Sequence, residues 1–250
     1  MSKAFTTLFL LLLTILSTEA QDTLRIMSYN IRNCKGLDNI HDIQRTADVI
    51  RNSDADIIAI QKVDSVTRRS KGVDIADTLA ILCKMHAYYS TAIEYDGGKY
   101  GVAILSRKKA IATYRATLPG REEKRTILIA EYPELTFACT HLSLNEENRM
   151  ASLDIIDSIA KKSKKPFIIA GDLNDTPQSP FIKELSRNWK IIAPNEEPTF
   201  PADKPNVTID YIAAIKEYER DIESVDSKVI EEPTASDHRP IATTIIIKKR

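Results

Sequence analysis

The stretch from residue 167 to residue 177 places polar side chains at the end of an apolar run. The run ends at Gly171, and Asp172 and Asn174 follow at alternate positions. Because side chains alternate along a strand, Asp172 and Asn174 should point the same way at its C-terminal rim. A carboxylate and an amide on one side suit a site for a metal ion and a phosphate. A polar turn has the same composition, so this stretch alone does not decide between the two.

Other polar residues also fall at the ends of predicted strands or in the adjoining loops: Asn30, His141, Asp210, Asp237 and His238. Each alone could be a turn residue or a structural hydrogen-bonding group. Together they suit hydrolysis of a phosphate ester, in which a divalent cation held by oxygen ligands neutralises the phosphate. One histidine held by a carboxylate can act as general base on water, and a second can donate to a phosphate oxygen. The chain has no nucleophile elbow, P-loop or HExxH motif.

The apolar pattern predicts the elements that position these residues. Predicted strands cover residues 24–31, 57–64, 102–107, 125–132, 135–142, 207–213 and 241–247, and the run that begins at residue 167. Predicted helices cover residues 40–51, 72–85, 145–163 and 180–186, and residues 95–101 are predicted to be a turn-rich loop. Because helices and hairpins are interspersed, we expect mixed or mostly antiparallel sheets.

Composition indicates a globular protein without a dominant charge. The 250 residues include 35 basic and 35 acidic side chains, 43% hydrophobic residues and 28% charged residues. A neutral chain has no global field that would gather nucleic acid, which argues against a nonspecific DNA-binding protein but leaves a local basic patch open. We find no internal repeat or composition break, so a single domain over residues 21–250 is expected.

The first twenty residues have the pattern of a secretory signal peptide. Lys3 precedes an apolar segment over residues 5–16, which is too short to span a bilayer, and Ala20 suits the position before a cut. We therefore expect an exported monomer, periplasmic or extracellular, without stable membrane insertion after cleavage. The alternative is an uncleaved N-terminal anchor.

The three cysteines, Cys34, Cys83 and Cys139, do not have the spacing of a zinc site. Cys139 lies in an apolar run and is predicted to be a buried thiol. Export would permit one disulfide, and Cys34 with Cys83 is the pair to test.

Seven segments occur along the chain in a characteristic order: residues 28–32, 56–61, 100–107, 140–142, 171–174, 209–212 and 236–240. In this order they resemble the endonuclease/exonuclease/phosphatase superfamily, which includes pancreatic-type DNases, AP endonucleases, neutral sphingomyelinases and inositol polyphosphate 5-phosphatases. The resemblance covers residues 24–247 and is closest to the small exported bacterial members. It implies an α+β fold, a four-layer α/β/β/α sandwich of two packed, mixed and mostly antiparallel sheets with outer helices.

The resemblance also implies roles in catalysis. Asp172 and Asn174 resemble the pair that orients the attacking water and the phosphate. His141 resembles the histidine that contacts the phosphate, and His238 oriented by Asp210 resembles the general acid/base pair. The implied cofactor is Mg²⁺ or Mn²⁺. The implied substrate is a phosphoester: a small phosphodiester, a phospholipid head group or a nucleic acid.

The metal site departs from the family pattern at one position. Asn30 and Asp237 resemble metal-site residues, but Lys62 stands where the family has the glutamate that is its principal metal ligand. An ammonium offers no lone pair and repels a divalent cation. Asp64 lies two positions on, but the family often has an acidic residue there as well, so it does not count as a replacement ligand.

Three interpretations of Lys62 stay open. The chain could have lost metal-dependent catalysis and bind a phosphate ligand without turning it over. The ammonium could partly replace the metal charge and contact the phosphate directly. The lysine could also be an introduced, inactivating substitution. The leading hypothesis is an exported metal-dependent phosphoester hydrolase with a damaged metal site, and the alternative is a non-catalytic phosphate-binding protein on the same fold.

Overall fold

The computed structural model describes residues 22–194 and 196–248, so the predicted signal peptide lies outside the described residues. The strands are β1 (Asp22–Asn30), β2 (Ile57–Ser65), β3 (His86–Tyr95), β4 (Gly98–Ser106), β5 (Ala112–Leu118), β6 (Arg125–Glu131), β7 (Thr136–His141), β8 (Phe167–Asp172), β9 (Trp189–Ala193), β10 (Asp210–Ile215), β11 (Ile222–Val229) and β12 (Ile241–Ile247). The α-helices are α1 (Ile43–Ser53), α2 (Ile75–Cys83), α3 (Glu146–Ala160) and α4 (Pro180–Asn188).

The strands form two six-stranded sheets. The first has the order β11-β12-β1-β2-β4-β3, and the second has the order β5-β6-β7-β8-β10-β9. Within the described sheets, only the neighbours β1–β2 and β7–β8 are parallel, and the others are antiparallel. The predicted mixed and mostly antiparallel sheets are therefore confirmed.

The core is built in layers because the strands are buried on both faces. Along β1, Ile26 packs between the two sheets, whereas Met27 packs towards α1 and α2. On the far side of the second sheet, α3 and α4 pack against residues that include Ile169 and Trp189. Asp42 and Asp74 cap the first turns of α1 and α2 through their side chains. These layers are the predicted α/β/β/α sandwich.

The structure corrects the prediction at the sheet edges. The sequence pattern does not predict the strands β3, β5, β9 and β11. In β3, β5 and β11 exposed positions break the apolar run, and β11 is exposed at most of its central positions. The loop expected at residues 95–101 is a tight hairpin, in which Asp96 and Gly97 have φ values of 47° and 81° between β3 and β4. Positive φ at both central turn residues is typical of two-residue hairpins.

The cysteines are all free thiols, so the disulfide offered for Cys34 and Cys83 is not formed. Cys139 is buried between the sheets as predicted, and burial raises the pKa of its thiol to about 12. None of the helices in residues 22–194 and 196–248 has the length and apolar character needed to cross a membrane.

One end of the sandwich gathers the polar strand ends. The C-terminal ends of β1, β2, β7 and β8 lie there, together with the N-terminal ends of β10 and β12. Asn30, His141 and Asp172 are the last residues of β1, β7 and β8, and Asp210 is the first residue of β10. Strand direction alone therefore brings these side chains to one place.

Candidate active site

Asp172 lies at the centre of the polar cluster and is almost completely buried. Its Oδ2 accepts a hydrogen bond from Asn30 Nδ2 at 2.9 Å, and its Oδ1 accepts one from the backbone N–H of Asn174 at 3.0 Å. Asn174 has a φ of 53°, a left-handed conformation that asparagine tolerates, and its Nδ2 donates to the Leu142 carbonyl at 2.9 Å. The carboxylate is thus fixed by two donors from separate strand ends.

His238 and Asp210 form a buried pair across the two sheets. His238 Nδ1 lies 2.9 Å from Asp210 Oδ2, which also accepts from Thr199 Oγ1 at 2.6 Å. The other carboxylate oxygen of Asp210 is buried without a hydrogen-bond partner among the described residues. The ring of Phe200 lies 4.8 Å from the imidazole ring centre. The imidazole is therefore held on one edge and on one face.

The second ring nitrogen of His238, Nε2, faces the rest of the cluster. Asn30 Nδ2 lies 3.2 Å from His238 Nε2, and the Asp172 carboxylate, which can only accept, requires the nitrogen side of that amide. Nε2 is therefore an acceptor, and Nδ1 carries the proton shared with Asp210. Burial disfavours the imidazolium, but the carboxylates of Asp210 and Asp172 outweigh it and raise the pKa of His238.

His141 is held in the opposite tautomer. Arg125 Nη1 donates to His141 Nδ1 at 3.1 Å, and a guanidinium cannot accept, so the imidazole proton is on Nε2. Nε2 lies 3.4 Å from Asp172 Oδ2. Burial, with the positive charges of Arg125 and Lys62, lowers the pKa of His141 to about 3. At neutral pH His141 is consequently an uncharged N–H donor.

Lys62 sits on a β-bulge at the edge of this cluster. The pairing of β2 with β4 shifts between Ile60 and Val63, and Lys62 has a φ of 57°. The extra residue breaks the alternation of the strand and brings Lys62 to the site end. Its side chain is half-buried, and its charge acts on both His141 and His238. Among residues 22–194 and 196–248, Lys62 makes no hydrogen bond or ion pair through its side chain.

The other acidic residues at this end are already paired. Asp64 is fully buried and receives Nε and Nη2 of Arg69 at 2.6 and 2.7 Å, so it is not a replacement metal ligand. Asp237 Oδ2 lies 3.5 Å from Arg32 Nε, and Asp237 Oδ1 lies 4.0 Å from His238 Nε2. Arg69 and Arg32 therefore already partner the carboxylates of Asp64 and Asp237.

Three side chains of the cluster could offer ligand atoms to a divalent cation. Asp172, Asp210 and His238 offer ligand atoms within 4.8 Å of one another. A cation there would compete with the bond between His238 and Asp210, and it would face the Lys62 ammonium. The predicted ligand Asn30 turns its amide nitrogen towards Asp172, while its oxygen accepts from the Arg32 backbone N–H at 3.2 Å. As they stand, these residues do not fit a divalent cation.

The structure thus brings all the predicted site residues to one end of the sandwich: Asn30, Lys62, His141, Asp172, Asn174, Asp210, Asp237 and His238. It also adds partners that the sequence did not single out. Arg125 sets the tautomer of His141, and Thr199 and Phe200 hold Asp210 and His238. The Ser236 hydroxyl donates to the Asn30 carbonyl at 2.6 Å and joins the last loop to β1. Arg125 and Thr199 carry no local signal, because only the folded chain brings them to the histidines.

A cavity of about 610 Å³ lies at the other end of the sandwich. Its lining includes Lys108, Glu134 and Lys165. Lys108 pairs with Glu134, and Lys165 Nζ donates to the Tyr132 carbonyl at 2.6 Å. The two lysines are therefore engaged within the chain, although Glu134 Oε2 is buried without a hydrogen-bond partner among the described residues.

Comparison with known proteins agrees with this architecture. A sequence model of the endonuclease/exonuclease/phosphatase family matches residues 27–238, and the chain belongs to this family. A comparison with curated proteins found no match.

Solved structures show the same fold at low sequence identity. A family protein from Bacteroides thetaiotaomicron has 14% identity and a TM-score of 0.76, with 92% of this chain and 100% of that chain covered. A mannosyl-6-phosphatase from Bacteroides thetaiotaomicron VPI-5482 has 15% identity and a TM-score of 0.71, with 89% and 99% covered. The human Nocturnin catalytic domain with a bound sulfate anion has 17% identity and a TM-score of 0.67, with 90% and 97% covered.

Proposed function

We propose that this chain is a phosphoester hydrolase in which His238 acts as general base on the attacking water. The observation that carries the proposal is the fixed tautomer of His238. Nδ1 is bound to Asp210 at 2.9 Å, and Nε2 is an acceptor that lies 3.2 Å from Asn30 Nδ2 and 3.7 Å from Asp172 Oδ2. The neutral form of this imidazole can take a proton from water at Nε2, and the Asp210 carboxylate, which helps to raise the pKa of His238, stabilises the imidazolium that forms.

His141 and Asn174 complete the site on the phosphate side. His141 presents Nε2–H, and Asn174 keeps one amide hydrogen free after its bond to Leu142. Fixed neutral donors of this kind stabilise the charge that develops on phosphate oxygens without competing for the water proton. Asp172, held by Asn30, is the acceptor that orients the water between the two histidines.

The family's divalent cation, Mg²⁺ or Mn²⁺, would supply positive charge at the phosphate. We propose that Lys62 weakens its binding in this chain, because the ammonium occupies the position of the principal ligand and adds a like charge. Hydrolysis by the chain as it stands is therefore expected to be slow.

The substrate we propose is a small phosphoester that this exported chain would meet outside the cytoplasm. The supporting features are the predicted signal peptide, the zero net charge and the fold shared with a mannosyl-6-phosphatase. The substrates to test are a phosphosugar, small phosphodiesters and phospholipid head groups, with nucleic acid as the comparison. A second candidate function, a non-catalytic phosphate-binding protein, is favoured by Lys62 alone.

The test is a phosphodiesterase and phosphatase panel with Mg²⁺ and with Mn²⁺, run on the chain and on Lys62→Glu. We expect Lys62→Glu to raise metal-dependent hydrolysis by orders of magnitude, because it removes the repelling charge and restores an oxygen ligand. Lys62→Met is the first control, since it removes the charge without adding a ligand. Lys99→Glu is the second, since it makes the same charge change at an exposed position in β4.

Calorimetry with Mg²⁺ separates the two candidate functions. Turnover and metal binding by Lys62→Glu support a hydrolase whose metal site has been impaired. Failure of Lys62→Glu to hydrolyse any of the nucleotide, sugar and lipid phosphoesters contradicts the idea that Lys62 limits catalysis. Retained phosphate binding together with that failure supports the binding protein.

A further inference from the structure

The Lys62 ammonium is a positive charge without an ion-pair partner among the described residues. Its side chain is half-buried, which removes part of the hydration that stabilises an exposed lysine. The bulge at Ile60–Val63 holds the backbone of Lys62 at the site end, so the side chain starts from a fixed position. A half-buried ammonium without a partner is stabilised most simply by an anion from solution.

The neighbouring carboxylates are not available to that ammonium. Asp64 is bound by both sides of the Arg69 guanidinium fork, and Arg69 is itself stacked 4.3 Å from the ring centre of Tyr95. Asp210 is bound by His238 and by Thr199 Oγ1. These contacts commit Asp64 to Arg69 and one oxygen of Asp210 to other donors. Asp172 is held by the neutral donors Asn30 Nδ2 and Asn174 N–H, and no carboxylate among the described residues lies within ion-pair distance of the Lys62 ammonium.

Two neutral donors lie at the same end of the sandwich, beside the Asp172 carboxylate. His141 presents Nε2–H in a tautomer fixed by Arg125, and Asn174 has one amide hydrogen that its bond to Leu142 does not use. An ammonium and two neutral N–H donors at one end of the sandwich match the several acceptor oxygens of a tetrahedral oxyanion. A divalent cation at this place would be repelled by the ammonium.

We propose that this site binds a phosphate group directly through Lys62, His141 and Asn174, with the Lys62 ammonium in the place of a divalent cation. Binding of inorganic phosphate, or of the phosphate end of a monoester, therefore needs no metal. This inference rests on the proposed function only because both concern the same site. It concerns the binding of the phosphate, whatever the rate of turnover.

The experiment is calorimetric titration of the chain with inorganic phosphate in the presence of EDTA. We expect saturable binding by the unaltered chain and at least a tenfold weaker affinity for Lys62→Met. That variant has a side chain of similar length without charge. Lys99→Met is the matched control, because it makes the same substitution at an exposed position on a strand of the same sheet, and it should bind phosphate as the unaltered chain does.

A second measurement on the unaltered chain does not depend on how the variant folds. Replacing EDTA with excess Mg²⁺ should change the phosphate affinity less than twofold. No phosphate binding in EDTA, binding that appears only with Mg²⁺, or equal binding by the unaltered chain and a folded Lys62→Met would each overturn the proposal.

These outcomes are distinct from failure of the proposed hydrolase. Metal-free phosphate binding, with no turnover by the unaltered chain or by Lys62→Glu, leaves this inference intact and contradicts the hydrolase. Turnover that requires Mg²⁺, without phosphate binding in EDTA, supports the hydrolase and contradicts this inference. Lys62→Glu adds a further contrast, since it should lose phosphate binding in EDTA and regain it with Mg²⁺.

Discussion

Removing the His141 imidazole should change how the stability of the fold depends on pH. The ordinary pKa of histidine is 6.5, and burial with the nearby charges of Arg125 and Lys62 lowers the pKa of His141 to about 3. Between these values the unfolded chain binds a proton at His141 that the folded chain does not bind. Stability from this residue is therefore complete above pH 6.5 and is lost as the pH falls towards the folded pKa.

The magnitude follows from proton linkage. One proton bound by the unfolded state alone gives a slope of about 1.4 kcal/mol per pH unit. When the pH falls from about 5.5 to about 4, the free energy of unfolding of the parent should drop by about 2 kcal/mol more than that of His141→Asn. Asparagine keeps an oxygen acceptor for Arg125, so the substitution removes the titrating group with little change in that contact.

The assay is urea unfolding at several pH values in EDTA, with the free energy of unfolding of parent and variant compared at each pH. Carboxylates that titrate in this range contribute to both proteins and cancel in the difference. The control is His86→Asn, which removes an exposed imidazole from the edge strand β3. If the difference between the parent and His141→Asn does not change with pH, then His141 is not the neutral, desolvated donor that the proposed function requires.

Three further predictions concern catalysis and packing. In the Lys62→Glu background, Asp210→Asn should lower kcat by about two to four orders of magnitude, as loss of the orienting carboxylate of a general base requires, and unchanged steady-state kinetics would argue against this role. Asp175→Ala should cost about 3 kcal/mol in urea unfolding, because Arg149 is buried and bonded to Asp175 at 2.7 Å; a cost near zero would mean that water replaces the carboxylate. Trp189→Ala should cost about 3 to 5 kcal/mol by the same measurement, since its ring is fully buried against Phe167; a smaller loss would indicate that the site collapses around the missing indole.

The central strands could be predicted from sequence because they are buried on both faces. Strand β12 has the predicted bounds, Ile241–Ile247, and β8 begins at Phe167 as expected. Edge strands escaped prediction because their solvent-facing residues interrupt the apolar run, as in β11. Hydrophobic pattern therefore locates the middle of each sheet better than its edges.

The candidate site could be located in part for the same reason. Asn30, Asp172 and Asp210 stand at the ends of buried strands, where the change from apolar to polar residues is visible in the sequence. The tautomers of the two histidines could not be predicted, because they are set by Arg125 and Asp210, which lie far from His141 and His238 in the chain. The bulge at Lys62 depends on pairing with β4, and its local sequence does not reveal it.

The polar cluster is divided between the two sheets, and this division makes it sensitive to their relative position. The bond between Asn30 and Asp172 joins β1 of the first sheet to β8 of the second, and the pair of His238 with Asp210 joins the loop before β12 to β10. Sliding of one sheet over the other by an ångström or so would break both bonds while leaving every strand ladder intact. Phosphate binding or hydrolysis at this end should therefore be lost at a lower denaturant concentration than the circular dichroism signal of the strands. Its loss would report a shift between the sheets before the chain unfolds.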